Sequence, residues 1–222
     1  MSGDYSRHAF DPWQDDLGVL LQQGRPLSDA DWNALVLQVR RRLHAGTLDT
    51  LGVAVVPSQS PAGFAIAPSA GNLQIGVGRM YVDGLLAQNH GSGPRAWDRS
   101  LEEQVGTQPV LYASPDPSLR QPYYPNAPAL PAGGPHMVYL DVWQREVTHL
   151  VRSGLVEPAV GVASSTRLQT VWTVTLLENV GTGVDCGTPL VDFPRFAPSA
   201  GRLTTDTAAV ADEPDPCLIP PG

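Results

Sequence analysis

Charge is scarce in this chain: only 16% of its 222 residues are Asp, Glu, Lys or Arg, against roughly a quarter in an average soluble domain. A chain with so little charge and recurrent Val, Leu, Trp and Tyr can bury enough surface to offset its ordering entropy, which argues against disorder throughout. The charge present sums to −8, a field that repels polyanions. The single basic run, Arg40-Arg41-Arg42, lies on a predicted helix, where successive residues face different ways. Nucleic acid is a poor partner on both counts, and the run reads as a solvated face with snorkelling stems.

Cysteine is almost as scarce. Cys186 and Cys217 are the two present, too few for a disulfide framework and without C-x-x-C metal spacing. They either pair, closing one late loop, or remain two free thiols. Apolar runs are short as well: none approaches the roughly 20 residues that span a bilayer, so no membrane insertion is expected. Met1-Ser-Gly-Asp-Tyr-Ser-Arg7 lacks the apolar core of a signal peptide. Synthesis and assembly in the cytoplasm are the expectation.

Catalytic constellations are missing too. His8, His44, His90, His136 and His149 never form H-E-x-x-H or another close ligand pair, and there is no G-x-S-x-G elbow. Gly76-Val77-Gly78 lacks the third glycine and following helix of a dinucleotide loop. Asp83, Asp141 and Glu146 could be imagined as a glycosidase pair. Asp83 is better read as a turn residue, and Asp141 as a strand residue facing water or paired with Arg145 or Arg167. The expectation is no enzyme, no cofactor and no metal.

What the chain does have is Gly and Pro, 22 of each, and apolar patterns that change period along its length. Residues 4 to 27 read as an extended arm with Tyr5, Phe10 and Trp13 as aromatic anchors and Leu17, Val19, Leu20 and Leu21 as a short apolar run. Trp13 docks either on its own domain or on another subunit. Ser28 can cap a helix beginning at Asp29; Asp29 and Asp31 suit its positive end, and Leu27 can staple onto Trp32. Trp32, Leu35, Val36, Val39 and Leu43 then form one helical stripe expected to enter the core, with Gly46 as the stop.

Beyond the helix the period becomes two, weakly from Gly63 to Ala67 and clearly through Leu73-Val77. Asp83-Gly84 between Arg79-Val82 and Leu85-Gln88 signals a two-residue hairpin. Residues 91–135, with prolines from Pro109 to Pro135, read as a long excursion from the sheet, held to its own domain or a neighbour by Tyr112, Tyr123 and Tyr124. Met137–Leu150 and Arg167–Leu177 are long strand candidates. In the second, Leu168, Thr170, Trp172, Val174 and Leu176 are expected to be buried and Gln169, Thr173 and Thr175 wetter. Trp143 and Trp172 are either core residues or an aromatic platform for sugar.

The fold class is therefore mainly β with one N-terminal amphipathic helix, an antiparallel sheet or sandwich with long Pro/Gly-rich loops. Three parts are expected: an attachment arm and helix over 1–46, a β domain over 47–180, and an irregular extension over 181–222.

Gly3-Asp-Tyr-Ser-Arg-His-Ala-Phe-Asp-Pro12 and Gly18-Val-Leu-Leu-Gln-Gln-Gly-Arg-Pro-Leu-Ser-Asp-Ala-Asp-Trp-Asn33 resemble the opening of the DUF6519 type of bacterial domain. Gly78–Asn89, Val138–Trp143 and Arg167–Trp172 are similar to that family as well, whereas Glu157–Thr166 departs from its Gly-Pro-Asp-Thr-like turn. Members commonly continue past the position of Gly222, so the chain resembles a shortened or split version. The resemblance implies a structural component of a phage-tail-like contractile injection particle, mediating baseplate assembly or fibre attachment. Its partners would be baseplate, spike or fibre proteins and further copies of itself, possibly as a trimer. Tyr5, Phe10, Trp13, Gln22, Gln23 and Arg25 become the candidate interface, with a carbohydrate-binding module as the alternative.

Overall fold

A computed structural model of the protein describes residues 5, 9–189, 191, 193, 196 and 201. The chain divides into two compact units, residues 1–182 and 183–222. In the second, the Asp185 carboxylate accepts from the Gly187 amide at 2.8 Å and Cys186 is exposed. Cys217 lies outside the described residues, as do His8, most of the Gly3–Arg7 motif and Pro220-Pro221-Gly222.

Within the first unit, helix α1 spans Asp29–Leu51. It starts where the sequence predicts: Ser28 Oγ accepts from the Asp31 amide at 3.1 Å, satisfying one orphan donor of the first turn. It does not stop at Gly46. A mid-helix glycine costs only about 1 kcal/mol, whereas termination favours a residue at positive φ. Gly52 supplies that at φ 88, its amide donating to Leu48 O. The buried face is also not the predicted one. Ala30, Ala34 and Gln38 are buried, while Trp32, Val36, Val39 and Leu43 are exposed and Leu35 is half-buried. Ala30 and Ala34, small side chains at i and i+4, permit close approach on that face, with the longer Gln38 following at i+8, and the apolar stripe lies on the other side.

Among the described residues twelve strands follow: β1 Ala54–Val55, β2 Ile66–Ser69, β3 Asn72–Ile75, β4 Gly78–Val82, β5 Leu85–Asn89, β6 Ser92–Asp98, β7 Glu103–Gln108, β8 Val110–Leu111, β9 Met137–Val147, β10 Val156–Glu157, β11 Val162–Ala163 and β12 Arg167–Leu177. They form small antiparallel sheets in the orders β1-β4-β5, β2-β3-β8, β6-β7, β9-β12 and β10-β11. The protein is thus mainly β, with one α-helix among the described residues. The β4-β5 hairpin turns at Asp83 and Gly84, at φ 47 and 73, the double positive φ that a two-residue turn requires.

The excursion begins later than its prolines suggest. Residues 91–111 contain the β6-β7 hairpin and β8; Pro94 is accommodated where the β6-β7 register shifts between Ser92 and Arg95. The irregular segment over 112–136 is packed onto its own unit. Tyr112 is buried and meets Tyr124 edge-on, and Tyr123 meets Trp172 edge-on. Gln121, fully buried, acts as a substitute strand. Its Nε2 donates to Val174 O at 3.1 Å and to Tyr112 O at 2.9 Å, and its Oε1 accepts from Val174 N at 2.8 Å. One side chain thereby satisfies the outward-pointing backbone groups of β12 that the ladder leaves open.

The core draws on several sheets at once: Phe64, Ile75, Ala87, Val110, Tyr112, Trp172 and Val174. Trp172 is 1% exposed, meets Phe64 edge-on at 4.9 Å and donates from Nε1 to Gln88 O at 2.7 Å. β12 pairs with β9 over eleven residues in unbroken register, Arg167 opposite Val147 to Leu177 opposite Met137. Its second face is drier than expected, since Thr173 and Thr175 are buried with Val171, while Leu168 on the first face is exposed. With Trp172 inside and Trp143 exposed on the opposite face, the two do not make a shared platform.

Candidate interaction surface

The predicted interface residues do not act as one group. Tyr5 is half-buried, and its hydroxyl lies 2.7 Å from Thr166 Oγ1, which docks it on its own chain just before β12. Phe10 is half-buried. Trp13 sits in a single 3-10 turn over Pro12–Gln14, closed by Asp11, whose Oδ1 accepts from the Trp13 amide at 3.0 Å; its side chain is 91% exposed. Gln22, Gln23 and Arg25 are exposed around a turn in which Arg25 N donates to Gln22 O across Gly24 at φ 73.

Around Tyr5 lie two adjoining grooves, each of about 760 Å³. One runs between the start of α1, with Leu27, Ser28, Trp32 and Asn33, and the chain from Thr148 to Leu150 and Ala163 to Arg167. The other runs between Trp32, Val36, Leu37 and Arg40 and the far ends of β9 and β12, at Gln144, Glu146 and Leu168. The helix is held across this gap by polar contacts. Arg40 Nη2 donates to Gln144 Oε1, and farther along His44 Nε2 lies 2.7 Å from Asp83 O. The Asp83-Gly84 turn fits against that ring so closely that a Cβ on Gly84 would sit 2.1 Å from His44 Cδ2.

The surface these elements present is apolar. Leu17, Leu20 and Leu21 in the arm, Trp32, Val39 and Leu43 on the helix, and Leu150, Val151 and Leu168 beside the grooves are all exposed. Leu20 at 94% and Leu150 at 85% have almost no cover. Sequence reasoning assigned the helix part to the core. The signal that would have corrected it is the second stripe, Ala30, Ala34 and Gln38, on the opposite side of the same helix.

The carboxylates considered for catalysis are dispersed. Asp83 lies in the β4-β5 turn, and Asp141 is exposed on β9 opposite Thr173. Arg145 turns to Gln169, donating from Nε and Nη2 at 3.1 and 3.0 Å. No group of three or more His, Cys, Asp or Glu suited to a metal occurs among the described residues. Nor is any described helix long and apolar enough to cross a membrane.

A family model described as a family of unknown function, DUF6519, matches residues 1–186, most of the chain. The chain belongs to the DUF6519 family. No curated protein and no solved structure matches it significantly. The segments that carried the resemblance have separate physical jobs. Gln22–Arg25 is the turn before α1, and Asp29–Asn33 is the capped first turn. Gly78–Asn89 is the β4-β5 hairpin, ending on a buried Asn89 whose Nδ2 donates to both Ile75 O and Gly76 O at 3.0 Å. The divergent Glu157–Thr166 stretch carries the β10-β11 pairing and reaches the Tyr5 contact.

Proposed function

We propose that this DUF6519 chain is a structural subunit of a phage-tail-like contractile injection particle, joining baseplate or fibre components through its arm and helix and through contacts with its own copies. The observation that carries an assembly role is the number of large apolar side chains left exposed along the arm and helix: Trp13, Leu17, Leu20, Leu21, Leu27, Trp32, Val36, Val39 and Leu43. Exposed apolar side chains scattered singly are ordinary, but so many on one short stretch of chain mark a surface suited to a partner. The particle setting rests on the likeness of Gln23-Gly24-Arg25 and Asp31-Trp32-Asn33 to the opening of baseplate and fibre-attachment proteins. An arm that ends in a rigid capped helix can cross to a neighbouring subunit while its β unit keeps its own core.

The test is removal of residues 1–27, which takes away the arm and leaves the Ser28 cap. Far-UV circular dichroism should keep the β signature, and incorporation into purified particles, followed by mass spectrometry, should be lost. Undiminished incorporation without the arm would overturn the proposal.

A further inference from the structure

The outward stripe of α1 has a spacing that a merely solvated face does not need. Trp32, Val36, Val39 and Leu43 follow one another at intervals of four, three and four, the a/d repeat of helices packing side by side. All four are exposed, at 56, 43, 47 and 66%. They lie on the side of the helix opposite Ala30, Ala34 and Gln38; Trp32 and Val36 border the grooves toward β9 and β12, while Val39 and Leu43 line neither groove.

We infer that this stripe is a seam for a second copy of the same chain, with the two α1 helices antiparallel across a twofold axis near Leu37 and Gln38. The inference rests on the assembly reading above and names its contact. Charge decides both the partner and the direction. The first turn of α1 is acidic, at Asp29 and Asp31, while Arg41 and Arg42 lie three turns later; Arg40 is engaged by Gln144 of its own sheet. Antiparallel packing places Trp32 against Leu43 of the second copy and Val36 against Val39 of the second copy. Asp31, whose carboxylate also accepts from Ser28 Oγ at 2.7 Å, then comes within one turn of Arg42 of the second copy, whereas Arg41 lies on the side of the helix away from the seam. A parallel pair would instead stack the two arginine runs against each other. Antiparallel helices also bring opposite dipole ends together, and a twofold contact uses the same patch on both copies, as a self-complementary charge pattern requires.

The seam is four layers long, short of the roughly 800 Å² per partner of a standard stable interface, so the dimer is expected to depend on concentration. Sedimentation velocity on the full chain from about 1 to 100 μM should show monomer passing to dimer. Val39→Glu with Leu43→Glu should weaken the dimer at least tenfold while leaving the circular dichroism spectrum unchanged. Direction is read separately, in a Cys186→Ser, Cys217→Ser background under mild oxidation. A mixture of Trp32→Cys and Leu43→Cys chains should give a linked heterodimer, while Leu43→Cys alone stays unlinked.

A chain monomeric throughout that range, a dimer indifferent to the two glutamates, or linkage of Leu43→Cys to itself would each overturn the seam. Incorporation of the arm-deleted chain into particles is read independently, so the seam can fail while the particle proposal stands, and the reverse.

Discussion

The arm over residues 9–27 and the segment over 112–136 have similar texts. Both are irregular, turn-rich and punctuated by aromatic residues, and both were expected to pack against something. They end up in opposite situations. Tyr112 and Gln121 are buried in the core, whereas Trp13 and Leu20 stand almost wholly in solvent. What separates the two is a polar side chain. Gln121 completes the open edge of β12 and thereby commits its segment to this unit. The arm has a turn at Gln22–Arg25 and a cap at Asp11, both satisfied locally. Aromatic content gives a segment something to bury, and a hydrogen-bonding group that only one site can satisfy determines where.

The sharpest way to break this contrast is Gln121→Leu, which keeps bulk and removes the amide. Val174 N and O and Tyr112 O would be left buried without that partner, at about 1–3 kcal/mol for each unsatisfied group. We expect a loss of about 3 kcal/mol or more, seen as a fall of roughly 10 °C in Tm for a chain of this size. If Gln121→Leu melts with the parent, the segment is held by its tyrosines alone.

A smaller effect comes from Tyr112, whose phenol pKa is raised by burial, with lesser contributions from Tyr124, Glu178 and Tyr139, from the ordinary 10.0 up to about 12. The folded state keeps this proton where the unfolded chain has begun to release it. The contribution to stability is therefore complete below 10.0 and is lost as pH rises through about 12. Lysine, whose ordinary range falls in the same window, is absent from the sequence. Chemical denaturation across it should show stability falling with pH in the parent and a shallower fall in Tyr112→Phe. Equal slopes would mean that Tyr112 is wetter than its packing indicates.

The legible parts of the fold were those decided within a few residues. Asp83-Gly84 needs only its own φ values to make a hairpin, and Ser28 needs only Asp31 to cap α1. The β9-β12 ladder follows from two long β-branched runs, apart from the three residues by which β9 falls short of Leu150. The failures were decided at a distance. Thr173 and Thr175 are buried by tertiary neighbours that no alternation reports. Gln121 belongs to a residue type that is mostly exposed, and nothing adjacent to it in sequence names Val174 as its partner. The helix face failed for a different reason: an apolar count ranks Val36 and Leu43 above Ala30 and Ala34, although the small residues are the ones that permit close approach. The arm was expected to pack on something, and of its aromatic anchors Tyr5 reaches its own chain through a hydrogen bond to Thr166.

The smallest effect is the most diagnostic, because its sign is at issue. If Val39 were the core residue its periodicity suggests, Val39→Ala would leave a cavity and cost on the order of 1–3 kcal/mol, a lost transfer term plus unfilled space. At 47% exposure on a helix, most of that loss has no counterpart. Replacing a β-branched side chain by alanine relieves χ1 restriction and raises helix propensity, by about 0.5 kcal/mol. Val39→Ala measured on dilute, monomeric protein should therefore be neutral to slightly stabilising. The same change at Val171, fully buried in β12, should cost about 2 kcal/mol. Dilution matters to the argument, since at high concentration a residue in a seam between copies would again behave as a buried one. A cost at Val39 that persists on dilution places the stripe inside its own chain, whereas a cost that appears only on concentration marks it as a surface waiting to be covered.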